Sequence, residues 1–366
     1  MLNSPPQLTQ VILEYMSDAN LTLSALFQQA GTELKVYDMG RRIRALGSDE
    51  FLRIEQMQTP YPCPYLQHAW IALLLLNPQN RQQNAVWFLK LPLDEQGYMV
   101  GAVRDDLLAR LLSNVEKSIA GVPQEDALKE NPFSFKPTDE KMAVFHALAA
   151  RQAGEPASAH YESVQQYLQS DPLGDQWQHL ALQGLADLIV RLDQGDNEQL
   201  LAQRLCELPQ GFETHILGLL EHASYGIALQ NSLQKLLKNA LLDANCDAIR
   251  IALLLRSLSP TALNAEISSL LQELFKQPAG SNAEVLSAVA TRCESWLMEP
   301  QLLHQFLEAL AKNEAGQVGF SRVLVDLMFL PVHRILIMRG LRQNDISDGL
   351  KAATEAMFGS AFRNLN

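Results

Sequence analysis

The sequence predicts a small N-terminal α+β domain followed by a larger all-α domain of antiparallel helix pairs, HEAT-like or an irregular helical repeat. Three observations carry that expectation. Two strand-length apolar runs, 68–76 and 85–93, fall within the first 120 residues. From about residue 137 onward, Leu and Ala recur at i, i+3, i+4, the period of a helix with one buried face. The breakers between those segments, such as "SDPLGD" (170–175), "LPQG" (208–211) and "LSP" (258–260), are short. Helices joined so tightly pack antiparallel to their neighbours. At 366 residues the chain is also too long for one ordinary core.

Taken in order, "NLTLSALFQQAG" (20–31) opens on a capping Asn, sets Leu23, Leu26 and Phe27 on one face and closes on glycine, so it reads as a short helix. "LKVYDMGRRIRAL" (34–46) reads as extended, with a turn at Met39-Gly40. "SDEFLRIEQMQ" (48–58) has Ser48 as its cap and acids in its first turn, a second short helix. Pro60, Pro62 and Pro64 stop it and hold "TPYPCPY" extended. The runs 68–76 and 85–93 are apolar on nearly every residue, the pattern of strands buried on both faces at the centre of a sheet. Residues 104–119 return to helical spacing. "GVPQEDALKENPFSFKP" (121–137) is polar and proline-bearing, the expected linker, which gives domains 1–120 and 138–366. Beyond it, "NCDAIRIALLLRSLS" (245–259) and "SNAEVLSAVATRCESWL" (281–297) resemble one another, the texture of a helical-pair repeat with a period of about 40 residues.

Composition limits the function. The chain is 47% hydrophobic with a formal net charge of -12. Residues 1–120 hold 10 Lys/Arg against 12 Asp/Glu, and 121–366 hold 19 against 29, so the acidity lies in the later part. Nucleic acid and anionic membrane are thereby disfavoured as partners. Cys63, Cys206, Cys246 and Cys293 form no C-x-x-C and read as reduced thiols. "MLNSPPQLTQVILEYM" has no basic n-region and reads as no secretory signal. Neither 68–76 nor 323–338 reads as a membrane span, the second being interrupted by Asp326, Pro331, His333 and Arg334. A cytoplasmic protein is expected.

Within "WFLKLPLDEQG" (87–97), Asp94 and Gly97 are the residues a turn selects, Asp to accept nearby backbone N–H groups and Gly to supply positive φ. Turn chemistry does not account for Glu95. "YDMGRRIR" (37–44) offers an anion grip at Arg41, Arg42 and Arg44 beside Gly40, or an exposed charged edge strand, the favoured reading. Asp94, Glu95, Arg41, Arg42 and Tyr37 are the candidate ligand-binding residues. His215 and His222 stand two helical turns apart, roughly 10 Å along the axis, too far to share a metal without His179 or Cys206 joining them. They read as ordinary helix histidines, and no metal or cofactor is expected. "SRVLVDLMFLPVHRILIMRG" (321–340) is more apolar than one helix face requires, which marks it as core or, through Met328, Phe329 and Met338, as an adaptable partner surface.

"WFLKLPLDEQG", with "VYDMGRRI" and "YPCPY" upstream, resembles a family of uncharacterised gammaproteobacterial proteins with a Leu-Asp-Glu signature, here Leu93-Asp94-Glu95. The resemblance extends over most of the chain. It implies a shared architecture and a bacterial cytoplasm and brings no activity with it. The architecture points to a non-catalytic adaptor or scaffold that binds another protein or a second copy of itself. The alternative is an enzyme, or a binder of a small molecule or divalent cation, with its site near Asp94 and Glu95.

Overall fold

The computed structural model describes residues 22–29, 31–79, 84–119, 131–243, 245–359 and 362, with backbone alone for 29 and 111–119. The chain divides into two compact units, Met1–Thr138 and Asp139–Asn366.

The first unit is built on a four-stranded antiparallel sheet of order β2-β1-β3-β4, with β1 Glu33–Asp38, β2 Arg44–Leu46, β3 His68–Leu76 and β4 Ala85–Pro92. Helices α1 (Leu23–Gln29), α2 (Ser48–Glu55) and α3 (Gly101–Ile119) complete it. The β3 run is buried on all but two of its residues and occupies a central position. The β4 run departs from the expectation of burial on both faces: only Leu89 and Leu91 are fully buried, because β4 ends the sheet order. Its open edge is bonded by a stretch from the polar segment after α3. Lys90 N donates to Phe133 O (2.7 Å) and Phe135 N to Phe88 O (3.2 Å), while the Phe135 ring meets Trp70 edge-on at 4.9 Å. Phe51 and Ile54 of α2 and Leu23 of α1 pack into the core with Met39, Tyr61 and Ile71. Burying each such side chain contributes about 1.5–3 kcal/mol. Glu55, fully buried at the end of α2, accepts from Leu23 N (2.7 Å), Ser24 N (3.1 Å) and Ser24 Oγ (2.5 Å) and so caps α1.

The second unit is a two-layer array of helices. One layer holds α4 (Asp139–Gln152), α6 (Leu182–Val190), α8 (Gln210–Leu220), α10 (Ala248–Leu258), α12 (Ala283–Arg292), α14 (Gly316–Met328) and α16 (Asp348–Phe358). The other holds α5 (Tyr161–Gln169), α7 (Asn197–Arg204), α9 (Ile227–Leu242), α11 (Ala265–Leu274), α13 (Pro300–Ala311) and α15 (Pro331–Gly340). Each helix packs against the next of its own layer, and pairs such as α9–α10, α13–α14 and α14–α15 join the layers. That is the arrangement of a stacked helical-pair repeat. After α4, helices of the first layer begin at Leu182, Gln210, Ala248, Ala283, Gly316 and Asp348, steps of 28–38 residues that are shorter than the expected period.

Local chemistry sets the helix starts. Asp247, Asn264, Asn282, Glu299 and Ser347 each accept a backbone N–H of the first turn they precede, at 2.7–3.1 Å. Leu254, Leu255, Leu258, Val285, Val289 and Phe306 fill the space between layers, with Trp296 beside them donating to Thr261 O at 3.1 Å. The apolar stretch 321–340 is two helices, not one. Pro331 lacks the N–H a continuing helix would need, so it ends α14 and sits in the first turn of α15.

Candidate functional site

The five candidate residues of the first unit do not share one environment. Asp94 Oδ1 accepts from Gln96 N (2.9 Å) and Tyr98 N (2.8 Å), Asp94 N donates to Tyr98 O (2.9 Å), and Gly97 closes the turn at φ 86°. The carboxylate is engaged by its own loop, while Glu95 is exposed beside it. Arg41 is buried in the loop between β1 and β2, where its Nε donates to Pro64 O (3.0 Å) and its guanidinium lies 5.8 Å from the Tyr65 ring centroid. This corrects the reading of 41–44 as an exposed edge strand: the strand begins only at Arg44, and Arg41 helps fix the proline segment. Arg42 is half-buried. Tyr37 is buried on β1, and burial, followed by the Glu33 charge, pushes its hydroxyl up to about 12.

A buried acid–phenol pair was not foreseen. Tyr61 Oη donates to Asp38 Oδ1 at 2.6 Å, both residues 1% exposed, and Gly40 N lies 3.4 Å from the same oxygen. Burial, then the Asp38 charge, raises the Tyr61 hydroxyl well above its ordinary range, so the proton stays on tyrosine. The pair ties the proline segment to the end of β1. Arg44 Nη1 reaches Cys63 Sγ at 3.3 Å on the outer side.

In the helical array several ion pairs link neighbouring helices of the first layer. Arg250 Nη2 pairs with Glu213 Oε1 (2.9 Å), linking α10 to α8, and Arg256 Nη2 lies 3.5 Å from Glu284 Oε2, linking α10 to α12. Arg292, at the end of α12, donates from Nε to Glu221 Oε2 (3.1 Å), and His222 Nε2 stands 3.1 Å from Glu221 Oε1. Burial alone would raise Glu221. The hydrogen bond from His222 and the charges of Arg292 and Arg256 overcome it and hold the carboxyl well below its usual range. Burial is also the largest influence on His222 and pushes it down from 6.5; Glu221 favours its charged form, and Lys141 and Arg292 oppose it. His222 is therefore neutral at pH 7 and donates to Glu221 through Nε2–H, leaving Arg292 as the compensating charge. His215 is exposed against Trp177, and among the described residues no group of three His, Cys, Asp or Glu side chains is placed to hold a metal ion.

The next-to-last helix of the first layer, α14, and the last of the second, α15, differ from the rest. Every arginine between residues 139 and 315 meets a carboxylate: Arg151, Arg191, Arg204, Arg250, Arg256 and Arg292 pair with Asp193, Asp187, Glu207, Glu213, Glu284 and Glu221. Arg322 on α14 and Arg334 and Arg339 on α15 are exposed and have no ion-pair or hydrogen-bond partner among the described residues. Apolar side chains share the faces of Arg322 and Arg339, while Arg334 lies about 140° around α15 from Arg339. Val318 (77% exposed) and Val325 (42%) flank Arg322 at helical spacing, and Val332 (52%) and Ile335 (70%) lie on the α15 face that carries Arg339. At 100° per residue these arcs stand opposite the buried Phe320, Leu324 and Leu327 of α14 and His333 and Ile337 of α15. Met328, Phe329 and Met338 are half-buried at their margins. A sequence signal existed: residues 327–344 contain Arg334, Arg339 and Arg342 but no Asp or Glu, within a strongly acidic chain.

A four-stranded sheet unit followed by a two-layer helical array defines a helical-repeat protein. The chain belongs to the family DUF3549, described as a protein of unknown function, which matches residues 19–358 and so includes both units. No match was found among curated proteins or among solved structures.

Proposed function

We propose that the protein is a non-catalytic scaffold of the cytoplasm that binds another protein through its helical array. The observation that carries this reading is the two-layer stack, whose helices bury one arc against their neighbours and leave the other to solvent, at α14 and α15 with apolar side chains exposed. The net charge of -12 favours a protein partner over nucleic acid or an anionic membrane. Among the described residues no helix is long and apolar enough to cross a membrane. Four free thiols fit a reducing compartment.

The test is affinity purification of the intact chain with crosslinking and mass spectrometry, run beside sedimentation velocity over a concentration series. A stoichiometric partner crosslinked to the helices of 139–359 is the expected result. Concentration-dependent dimers without another protein would identify the partner as a second copy. A partner lost from Asp94→Ala/Glu95→Ala, with circular dichroism unchanged, would move the binding site to the β4–α3 turn. Absence of any protein partner, coupled with capture of a small molecule, would overturn the scaffold reading.

A further inference from the structure

We propose that a cavity on one rim of the helical array receives an extended segment of the partner, with a Lys or Arg toward one end and an Asp or Glu toward the other; this rests on the scaffold reading above. The cavity, of about 640 Å³, opens where helices of the second layer turn into the first. Three consecutive connections build it, from α9 to α10, from α11 to α12 and from α13 to α14. Leu241, Ile251, Pro278 and Ala279 give it apolar walls, and Leu242, also on its lining, is 77% exposed. Its volume lies in the range of sites that hold ligands.

The chemistry of the occupant follows from two charges that the fold leaves open. The last carbonyl groups of a helix carry partial negative charge, so a base is favourable there and an acid is not. Glu221 nevertheless caps the end of α8, and Asp243 the end of α9. For Glu221 the chain supplies Arg292, from the end of α12 two helices along the same layer, at 3.1 Å. Asp243 has no cationic partner among the described residues, and its Oδ1 accepts from Asn245 N (3.0 Å) within its own loop. The corresponding base exists, since Lys312 caps α13, two helices beyond α9 in the second layer. Its ammonium makes no ion pair or hydrogen bond among the described residues. Asp243 belongs to the first of the three connections and Lys312 to the third, so the cavity separates an anion from a cation. Glu314, near Lys312, is engaged at the start of α12, where it accepts from Asn282 Nδ2 (2.9 Å) and Ala283 N (3.3 Å). The chain closes the first-layer strap itself and leaves its second-layer counterpart open.

Two packing steps of about 8–10 Å each, through α11, separate α9 from α13. An extended chain rising about 3.3 Å per residue covers that distance in about five residues. A nucleic acid brings no cation to Asp243, and a single ion serves one end alone, whereas a peptide supplies both charges and apolar side chains between them.

The experiment uses the full chain and a phage-displayed library of random dodecapeptides, with selected peptides measured by fluorescence anisotropy. The comparison proteins are Asp243→Asn, which keeps the acceptor for Asn245 N and removes only the charge, Lys312→Gln and Leu242→Ser. All three positions are exposed, and circular dichroism should match the parent. Peptides with a base and an acid about five residues apart, around apolar side chains, should be enriched. Their affinity should fall roughly tenfold in each charge variant and about threefold in the serine variant. A peptide with glutamine in place of its base should bind the parent and Asp243→Asn alike. Enrichment without that charge pair, equal affinity for the parent and both charge variants, or no enrichment at all would overturn the proposal. So would capture of a small molecule in the cavity, or a dimer that the charge variants abolish, in place of peptide binding. A stoichiometric partner crosslinked only to residues away from this rim would overturn the site and leave the scaffold reading standing; absence of any protein partner would remove both.

Discussion

The arginines of α4 to α13 and those of α14 and α15 are the same side chain used in two ways. The first group is consumed by the fold. Arg191, with 4% of its side chain exposed, lies 2.5 Å from Asp187, and Arg292 reaches across the layer to Glu221. The second group makes no bond and stands in solvent among valines and isoleucine. The difference teaches that net charge says little about how a surface behaves. A chain at -12 can pair the arginines of its earlier helices internally and still leave others exposed at α14 and α15.

The comparison is broken most severely by removing a buried partner. Asp187→Ala leaves Arg191 buried, and it also deprives Ser158 N of an acceptor at 3.0 Å. A loss of about 3–5 kcal/mol is expected in urea unfolding, since one member of a buried pair then remains uncompensated. A loss below about 1 kcal/mol would show that the array lets water reach Arg191 and that the pair is not a structural element.

Acid probes the Glu221 cluster. His222 has a folded pKa below its ordinary 6.5, so the unfolded chain binds the proton more readily. Its contribution to stability is complete above about pH 6.5 and declines as pH falls below that value. Glu221, also depressed, adds a second loss as pH falls below its ordinary 4.5. The melting temperature should therefore be several degrees lower at about pH 5.5 than at about pH 7.5, and His222→Gln should flatten that upper part of the profile. An unchanged profile in the variant would remove His222 from the account.

The β4–α3 turn repeats the same contrast on a smaller scale. Asp94 is bound by its own loop and Glu95 is not. Asp94→Ala should cost about 1 kcal/mol in thermal unfolding and Glu95→Ala almost nothing. Equal effects would mean that the two carboxylates are not in different environments. The smallest effect is expected at the far end of the array. Arg322→Ala, Arg334→Ala and Arg339→Ala should each leave stability within about 0.5 kcal/mol of the parent, measured in the same way. A larger loss from any of them would show that it serves the fold.

Elements whose signal lies in consecutive residues were legible. The β3 run is apolar along its length because both its faces are covered, and the helical stripes from 139 onward follow from burying one arc. The β4 run misled because apolar composition does not reveal whether a strand is central, and its partner stretch at 133–135 lies in a segment that reads as polar linker. Pro331 was visible as an interruption, yet only the fold shows that it begins a new helix in the other layer. The ion pairs between helices were not legible, since Glu213 is 37 residues from Arg250 and Glu221 is 71 from Arg292. The absence of acids in 327–344 was readable, but whether those arginines find distant partners depends on packing alone.

The Glu221–Arg292 bond joins the end of α8 to the end of α12 and bypasses α10, which lies between them in the layer. In a stack held only by adjacent contacts, each repeat can open almost on its own. A strap over three helices removes that independence, so α8, α10 and α12 should exchange their amide hydrogens as one cooperative block. Helices α14 to α16 lie outside that block and should open separately from it. A partner that pulled on α15 would peel the array from that end and meet its first mechanical stop at Arg292.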